Sequence, residues 1–445
     1  MDLTIVAIII YFLVMAALGF FIKVKEGRDK GKDLGSFSLA ISLFVALYGG
    51  GFILGGAELS YKYGWSGLAY GGSAALGLIL VGLFMAKRIH CESKNCKTLT
   101  VSSLLKNKFK CDNISLISAS LSVLALISIA SAQLYAAMRV FNVLGLPIKI
   151  MLAITTLIII LVSIRGVKGL VKFGKYNLII ATIGALAAIG LAFGATPNLS
   201  ITSGFERISI SNLLWIIIPT SLYILLGQDI HQKLYKARTK KSLIYGCFIA
   251  AVALALMAFF PVIIGMKSHF LFSINPSEAV PKFIIFSIPS LFKGLFIAAI
   301  LAAVIGCAQS VISASASQFS QDIFCFIRKI KSKDTQNINS ITTVTIAIIA
   351  FLIALYSKGI INNLIIAYSL YTAGMFVPIL MALFLKRTKR YSRFIVIISV
   401  IGLVFSLLIE LNLINLGLPS IIPGIGASII AFLIVNRLCV VTKKE

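Results

Sequence analysis

The sequence predicts an all-α polytopic membrane protein of about thirteen transmembrane helices, built as two five-helix repeats of opposite orientation behind one extra N-terminal helix. Three observations predict it. Hydrophobic residues make up 59% of the 445 positions and charged residues 12%, with a mean hydropathy of +1.02, far more apolar than a soluble chain of this length. The basic residues recur in short runs between apolar segments. Two of those segments, five spans apart, are interrupted by residues that a uniform helix does not use.

Apolar runs long enough to cross a bilayer lie near 3–22, 37–60, 67–86, 114–138, 144–164, 177–195, 211–232, 242–266, 291–325, 341–357, 361–385, 394–413 and 418–436. With the N-terminus outside and the C-terminus in the cytoplasm, 33 of the 41 basic residues fall in cytoplasmic segments and 8 outside. That bias over short loops supports both the count and the orientation. It also accounts for the net charge of +27 without nucleic acid as a partner, because recognition of nucleic acid needs the basic residues gathered on one soluble face. The first span has Asp2 where a signal peptide has a basic region, so it is read as retained. The expected setting is a cell membrane, inner or plasma, with the lipid bilayer as the chain's solvent.

The organisation follows: an extra helix and loop over 1–36, a first repeat over 37–196, a second over 211–386, and two further helices over 392–445. In the span Ser36 to Ser60, five of the eight residues from Gly49 to Gly56 are glycine. Opened backbone in hydrocarbon is tolerated only where it is buried in protein or lines a cavity, so the break marks a candidate solute or ion site. Gly51 and Gly55 also form a GxxxG pair, which close helix packing explains as well. Between the third and fourth spans, Thr100 is placed to cap a short helix with Leu104, Leu105 and Phe109 on one face. Gln133 is an amide in an otherwise apolar fourth span and must find a partner inside the bundle. The seventh span, Leu213 to Ala237, is interrupted at Pro219 and again at Gly227, Gln228 and Asp229. Five is odd, so the two interrupted spans begin repeats of opposite orientation. The ninth span is rich in Ala, Ser and Gly, and the eleventh carries Gly374 and Pro378 as hinge candidates.

Candidate solute-lining residues are Tyr48, Gly49, Gly50, Gly51, Phe52, Gln133, Tyr223, Tyr371 and Gly374. Glu58 and Asp229, with His231 beside the latter, are the ionisable groups placed to carry protons. Glu58 is also placed to pair with Lys62 one turn on, and Asp229 to pair with Lys233 at i,i+4 on the cytoplasmic surface. Cys91, Cys96 and Cys111 share a cytoplasmic loop, but their spacing matches no zinc pattern. No cofactor is expected. His90, His231 and His269 lie in separate segments with no nucleophile–base or metal-ligand spacing, which speaks against an enzyme.

GGGFILGGAELSYKYGWSGLAY (Gly49 to Tyr70), TLTVSSLLKNKF (Thr98 to Phe109), GQDIHQKLYKARTKKS (Gly227 to Ser242) and AAVIGCAQSVISASASQFSQDIF (Ala302 to Phe324) together resemble the sodium:solute symporter family. The resemblance implies the leucine-transporter fold with one extra N-terminal helix, alternating access, and sodium-coupled uptake of a small organic solute such as an amino acid or carboxylate. It also implies a sodium site of backbone carbonyls near Val45 and Tyr48, the carbonyl of Ala303, and side chains at Gly306 and Cys307. The family usually has Ser or Thr at those last two positions. Sodium prefers oxygen and a thiol is a soft donor, so the site is degenerate and the coupling ion is Na+ or H+. The alternative reading is a transporter-like solute sensor without net transport, which would need a separate output partner.

Overall fold

The computed structural model of the protein describes residues 3–21, 34–95, 100–164, 204–329, 336–357, 359–386 and 388–441, with a few positions between 176 and 184. Among these residues the secondary structure is helical, with one isolated bridge between Leu34 and Ala237. Seven helices are long and apolar enough to cross a membrane, or eight when the pair Ile210–Leu226 and Gln228–Leu234, bent by 43°, is taken as one span. Four shorter apolar helices lie at Thr4–Ala17, Ser36–Leu47, Ile148–Ser163 and Ile395–Glu410. The expected sixth span falls almost wholly outside the described residues. The difference from thirteen has a second physical source. Helix geometry runs on from Gly51 to Lys94 through the tight turn at Gly64–Gly67, so parts of two expected spans join into one element.

Two helices form the centre. Asp112–Val143, here the central helix, packs along Ser290–Gln318, the long helix. Both are rich in Ala and Ser, which lets their backbones approach closely. The long helix continues through a π-helical stretch, Phe319–Phe324, to Arg328. Around this centre, Ser36–Leu47 packs on Lys240–Met257, and Ile210–Leu226 packs on Leu68–Leu80. A glycine sits at each crossing: a Cβ on Gly246 would lie 2.8 Å from Leu39 Cδ2, and one on Gly77 would lie 2.8 Å from Ile224 Cβ. Gln336–Tyr356 lies against the central helix and Ile148–Ser163 against the long helix.

The short helix is Val101–Phe109, with Leu104, Leu105 and Phe109 fully buried on one face. Thr100 caps it as expected, its Oγ1 accepting from Ser103 N at 3.0 Å while Ser103 Oγ accepts from Thr100 N at 3.2 Å. Thr100→Ala removes one half of that reciprocal box and is expected to lower stability by about 1 kcal/mol. Thermal unfolding of the purified protein checks this, and an unchanged Tm counts against the cap.

Pro219 does not interrupt its helix. Ile210–Leu226 runs through it, and the break comes at Gly227, whose ψ of 133° is extended. Proline removes a single N–H from the ladder, and the helix keeps its geometry on both sides of it. Pro378 likewise lies within the continuous helix Ile360–Phe384.

Candidate functional site

The helix Ser36–Leu47 ends at Tyr48, with φ −84° and ψ 76°, and helical geometry resumes at Gly50 with a π-helical stretch over Gly51–Gly55. A break of this kind frees backbone groups in the protein interior, where each needs a partner. The central helix supplies one: Gly50 N–H donates to Gln133 Oε1 at 2.6 Å. The long helix supplies the other, since the Cys307 thiol donates to Ala46 O at 2.9 Å. Glycine is required here for space. A Cβ on Gly49 would stand 2.5 Å from both Cys307 Cβ and Gln133 Oε1.

The second break is served in the same way. Leu226 O accepts from the Tyr371 hydroxyl at 3.1 Å, and Leu225 O accepts from His231 Nε2 at 2.6 Å. Gln228 Oε1 accepts from Val101 N at 2.8 Å, tying the break to the capped short helix. His231 Nδ1 then faces the Tyr235 hydroxyl at 3.2 Å, so both ring nitrogens are engaged in holding the turn. His231 thereby bridges the carbonyl freed at the break and the Tyr235 hydroxyl.

Between the two breaks lies a cavity of about 20 Å³, bounded by Gly51, Phe52, Tyr70, Gln133, Thr220, Tyr223, Asp229, Cys307 and Tyr368 among others. That volume holds about one water molecule. Its walls are aromatic: the Tyr223 and Tyr368 rings stack at 4.2 Å, and Phe52 lies 5.1 Å from Tyr48 and 6.4 Å from Tyr70, centroid to centroid. Polar groups converge on it. Tyr223 donates to Asp229 Oδ1 at 2.9 Å, and Thr220 Oγ1 is buried without a hydrogen-bond partner among the described residues. As it stands the space is too small for an organic solute.

Of the candidate residues, Gly51, Phe52, Gln133, Tyr223, Asp229 and Cys307 line the cavity. Tyr48, Gly49 and Gly50 form the break beside it. Tyr48 turns its ring onto Phe44, 4.8 Å away, and its hydroxyl is buried with no hydrogen-bond partner among the described residues. Tyr371 stands behind Tyr223, 5.8 Å between centroids, and faces a second, mainly apolar cleft of about 870 Å³ between the central helix and the helices that follow. Gly374 is elsewhere. A Cβ there would meet Leu121, Leu403 and Ser399 at 3.2 to 3.6 Å, so it is a packing position against Ile395–Glu410 and the central helix.

The residues of the expected cation site are brought together only in part. Val45, Ala303, Gly306 and Cys307 are all buried, and the Cys307 thiol is engaged as a donor to Ala46 O. Glu58 lies outside the cavity with Oε2 buried and unpartnered among the described residues, near the charges of Lys62 and Arg139. Lys233 corrects the surface-pair reading. It is 6% exposed, and its ammonium donates to the backbone O of Asp229 at 2.6 Å and to Ser310 Oγ at 2.8 Å.

Sequence reasoning missed Tyr70, Thr220 and Tyr368, and placed Lys233 on the surface rather than against Ser310. Tyr368 had a signal, since it precedes Tyr371 by three residues and shares its helix side. Lys233 was hidden by its place in a basic run that also reads as a loop. No metal-binding group of three or more His, Cys, Asp or Glu occurs among the described residues; Cys96 lies outside them.

The model of the sodium:solute symporter family matches residues 30–193 and 170–399. The chain belongs to the sodium:solute symporter family. It is 24% identical over 479 aligned residues to the osmoregulated proline transporter OpuE of Bacillus subtilis, covering 98% of this chain and 94% of that one. Among solved structures it is similar to the substrate-bound, outward-open state of a Na+-coupled sialic acid symporter. That match has a TM-score of 0.80 at 15% identity and covers 98% of this chain and 97% of the other. It is also similar to MHP1, a nucleobase-cation-symport-1 family transporter in a closed conformation with bromovinylhydantoin bound. There the TM-score is 0.67 at 14% identity, with 92% and 94% coverage. Family membership makes the chain a multi-pass membrane transporter, not an enzyme, with a small solute and a coupling cation as its partners.

Proposed function

We propose that this protein is a symporter of a small organic solute bearing a carboxylate, such as an amino acid, working by alternating access around the cavity between the two helix breaks. The observation that carries this reading is the break at Tyr48–Gly50, whose freed backbone groups are held by Gln133 from one helix and Cys307 from another. A helix opened at its middle presents backbone dipoles to a solute, and its partners on two different helices let binding pull on both. Proline and sialic acid, named for two of the similar proteins, each carry a carboxylate.

The finer architecture is proposed with it: thirteen spans, N-terminus outside, in two inverted repeats over 37–196 and 211–386. The packing pattern supports the repeat. Exchanging second for seventh span and third for eighth turns the contact of Ser36–Leu47 with Lys240–Met257 into that of Ile210–Leu226 with Leu68–Leu80. Exchanging fourth for ninth and fifth for tenth turns Gln336–Tyr356 against the central helix into Ile148–Ser163 against the long helix.

Sodium coupling is weak or absent in this reading. Gly306 offers no side-chain oxygen and Cys307 is already bonded to Ala46, so two of the expected ligands are missing. The test is uptake into proteoliposomes of a panel including proline and sialic acid, under separate sodium and proton gradients. Accumulation of a panel solute above its equilibrium level is the expected result. Absence of both uptake and counterflow across the panel overturns the transport reading, and steep accumulation driven by sodium alone overturns the degenerate site.

A further inference from the structure

Lys233 belongs to Gln228–Leu234, the segment beyond the second break, and it reaches inward. Its two acceptors, a backbone carbonyl and a hydroxyl, are the donor atoms that a hard cation takes. Among the described residues no carboxylate lies within ion-pair distance of it, so its direct contacts are oxygen dipoles, with the Asp229 carboxylate acting on it from farther off. Ser310 lies one helical turn beyond Cys307 on the long helix. One face of that helix therefore holds the first break through Cys307 and the second broken span through Ser310 and Lys233. Where the family resemblance leads one to expect sodium, this chain has a tethered ammonium one turn away, and a positive charge fixed there repels a second cation.

We propose that Lys233 is the coupling group of this transporter: its ammonium does the work of the sodium ion, and loss and recovery of its proton drive the cycle. The proposal rests on the transport reading above. With the site open to the outside, the amine takes a proton and its charge-assisted bonds to Asp229 O and Ser310 Oγ draw the two helices together. With the site open to the cytoplasm, an N–H bond of the ammonium breaks, the electron pair stays on Nζ, and the proton passes to water. The neutral amine holds Ser310 more weakly, so the long helix is released and the carrier resets. Other groups that bear on this titration are Asp229 and Lys236 along the same stretch of chain and Cys307 from the long helix. Tyr223 of Ile210–Leu226 is bonded to Asp229, Ser36–Leu47 carries no titratable side chain, and Lys106 and Lys108 of the short helix are paired with Asp112 and Glu92.

Proteoliposomes with pyranine trapped inside, and radiolabelled proline and sialic acid as probes, decide the matter. The parent protein is expected to accumulate probe on the order of tenfold per unit of pH gradient, without sodium, and to acidify the lumen as it does so. Lys233→Arg keeps the charge and the donors but does not release a proton. It and Lys233→Gln should retain measurable counterflow, at a reduced rate, while gradient-driven accumulation falls to unity and acidification stops. Accumulation by Lys233→Arg equal to the parent overturns the proposal, as does parent accumulation that follows sodium and ignores pH. A parent that shows no counterflow of either probe instead fails the transport reading and takes this proposal with it. If both variants lose counterflow, the thermal stability of the purified parent in sodium chloride against choline chloride decides: no difference upholds the tethered cation, and stabilisation by sodium overturns it.

Discussion

Replacing Gly50 with leucine is expected to abolish uptake, and Gly50→Ala is expected already to reduce it severely. A Cβ at this position would stand 2.4 Å from Ala136 Cβ on the central helix and 3.0 Å from Val304 Cγ2 on the long helix. Neither neighbour is the far end of a flexible side chain, so the backbone itself has to shift. Overpacking of this kind costs roughly 1–3 kcal/mol for a few extra methylenes, and more when two helices must separate. The sequence presents Gly50 as a solute-lining residue, whose side chain would fill space that the solute needs. The structure changes the reason: Gly50 is where the break wedges between two central helices, and its N–H is bound to Gln133. Uptake by reconstituted variants and their thermal unfolding in detergent measure the effect. Normal transport kinetics in Gly50→Leu would mean that the break is not the moving part.

Gln133→Leu is expected to lower uptake by more than about tenfold while the protein still inserts, since leucine nearly preserves the volume. What it removes is the acceptor for Gly50 N–H, at 2.6 Å the only hydrogen bond recorded for that amide among the described residues. A buried donor left without a partner costs about 1–3 kcal/mol, and 1.4 kcal/mol is a tenfold change in the population of the broken conformation. The Gln133 amide also borders the cavity, so the solute loses a polar contact at the same time. A Gln133→Leu protein with parental uptake and unchanged Tm would place the amide outside both roles.

These two residues were legible before any coordinates, and for the same reason. A triple glycine and a lone amide stand out against apolar neighbours, and in hydrocarbon such residues must be buried against something. The second break was legible at two places in its span, and only the second of them, Gly227, is where the helix stops. Pro219 advertises a kink that the surrounding helix absorbs, whereas Gly227 adopts the extended backbone that turns the chain by 43°. Gly374 failed as a site residue because a glycine in a spanning helix serves any neighbour equally well. Here that neighbour is Ile395–Glu410.

By itself the sequence determined the class of this protein, because mean hydropathy, the length of apolar runs and the placement of basic residues are local quantities set by the bilayer. It also determined that two spans are broken, since backbone conformation at glycine is local as well. The tertiary structure alone decided which polar group meets which break. In a membrane bundle the lipid-facing and protein-facing sides of a helix are both apolar, so periodicity does not say which neighbour a side chain addresses. Lys233 shows the consequence. At i,i+4 from Asp229 and inside a basic run it reads as a solvated ion pair, and only the packing of Gln228–Leu234 against the long helix turns it inward onto Ser310.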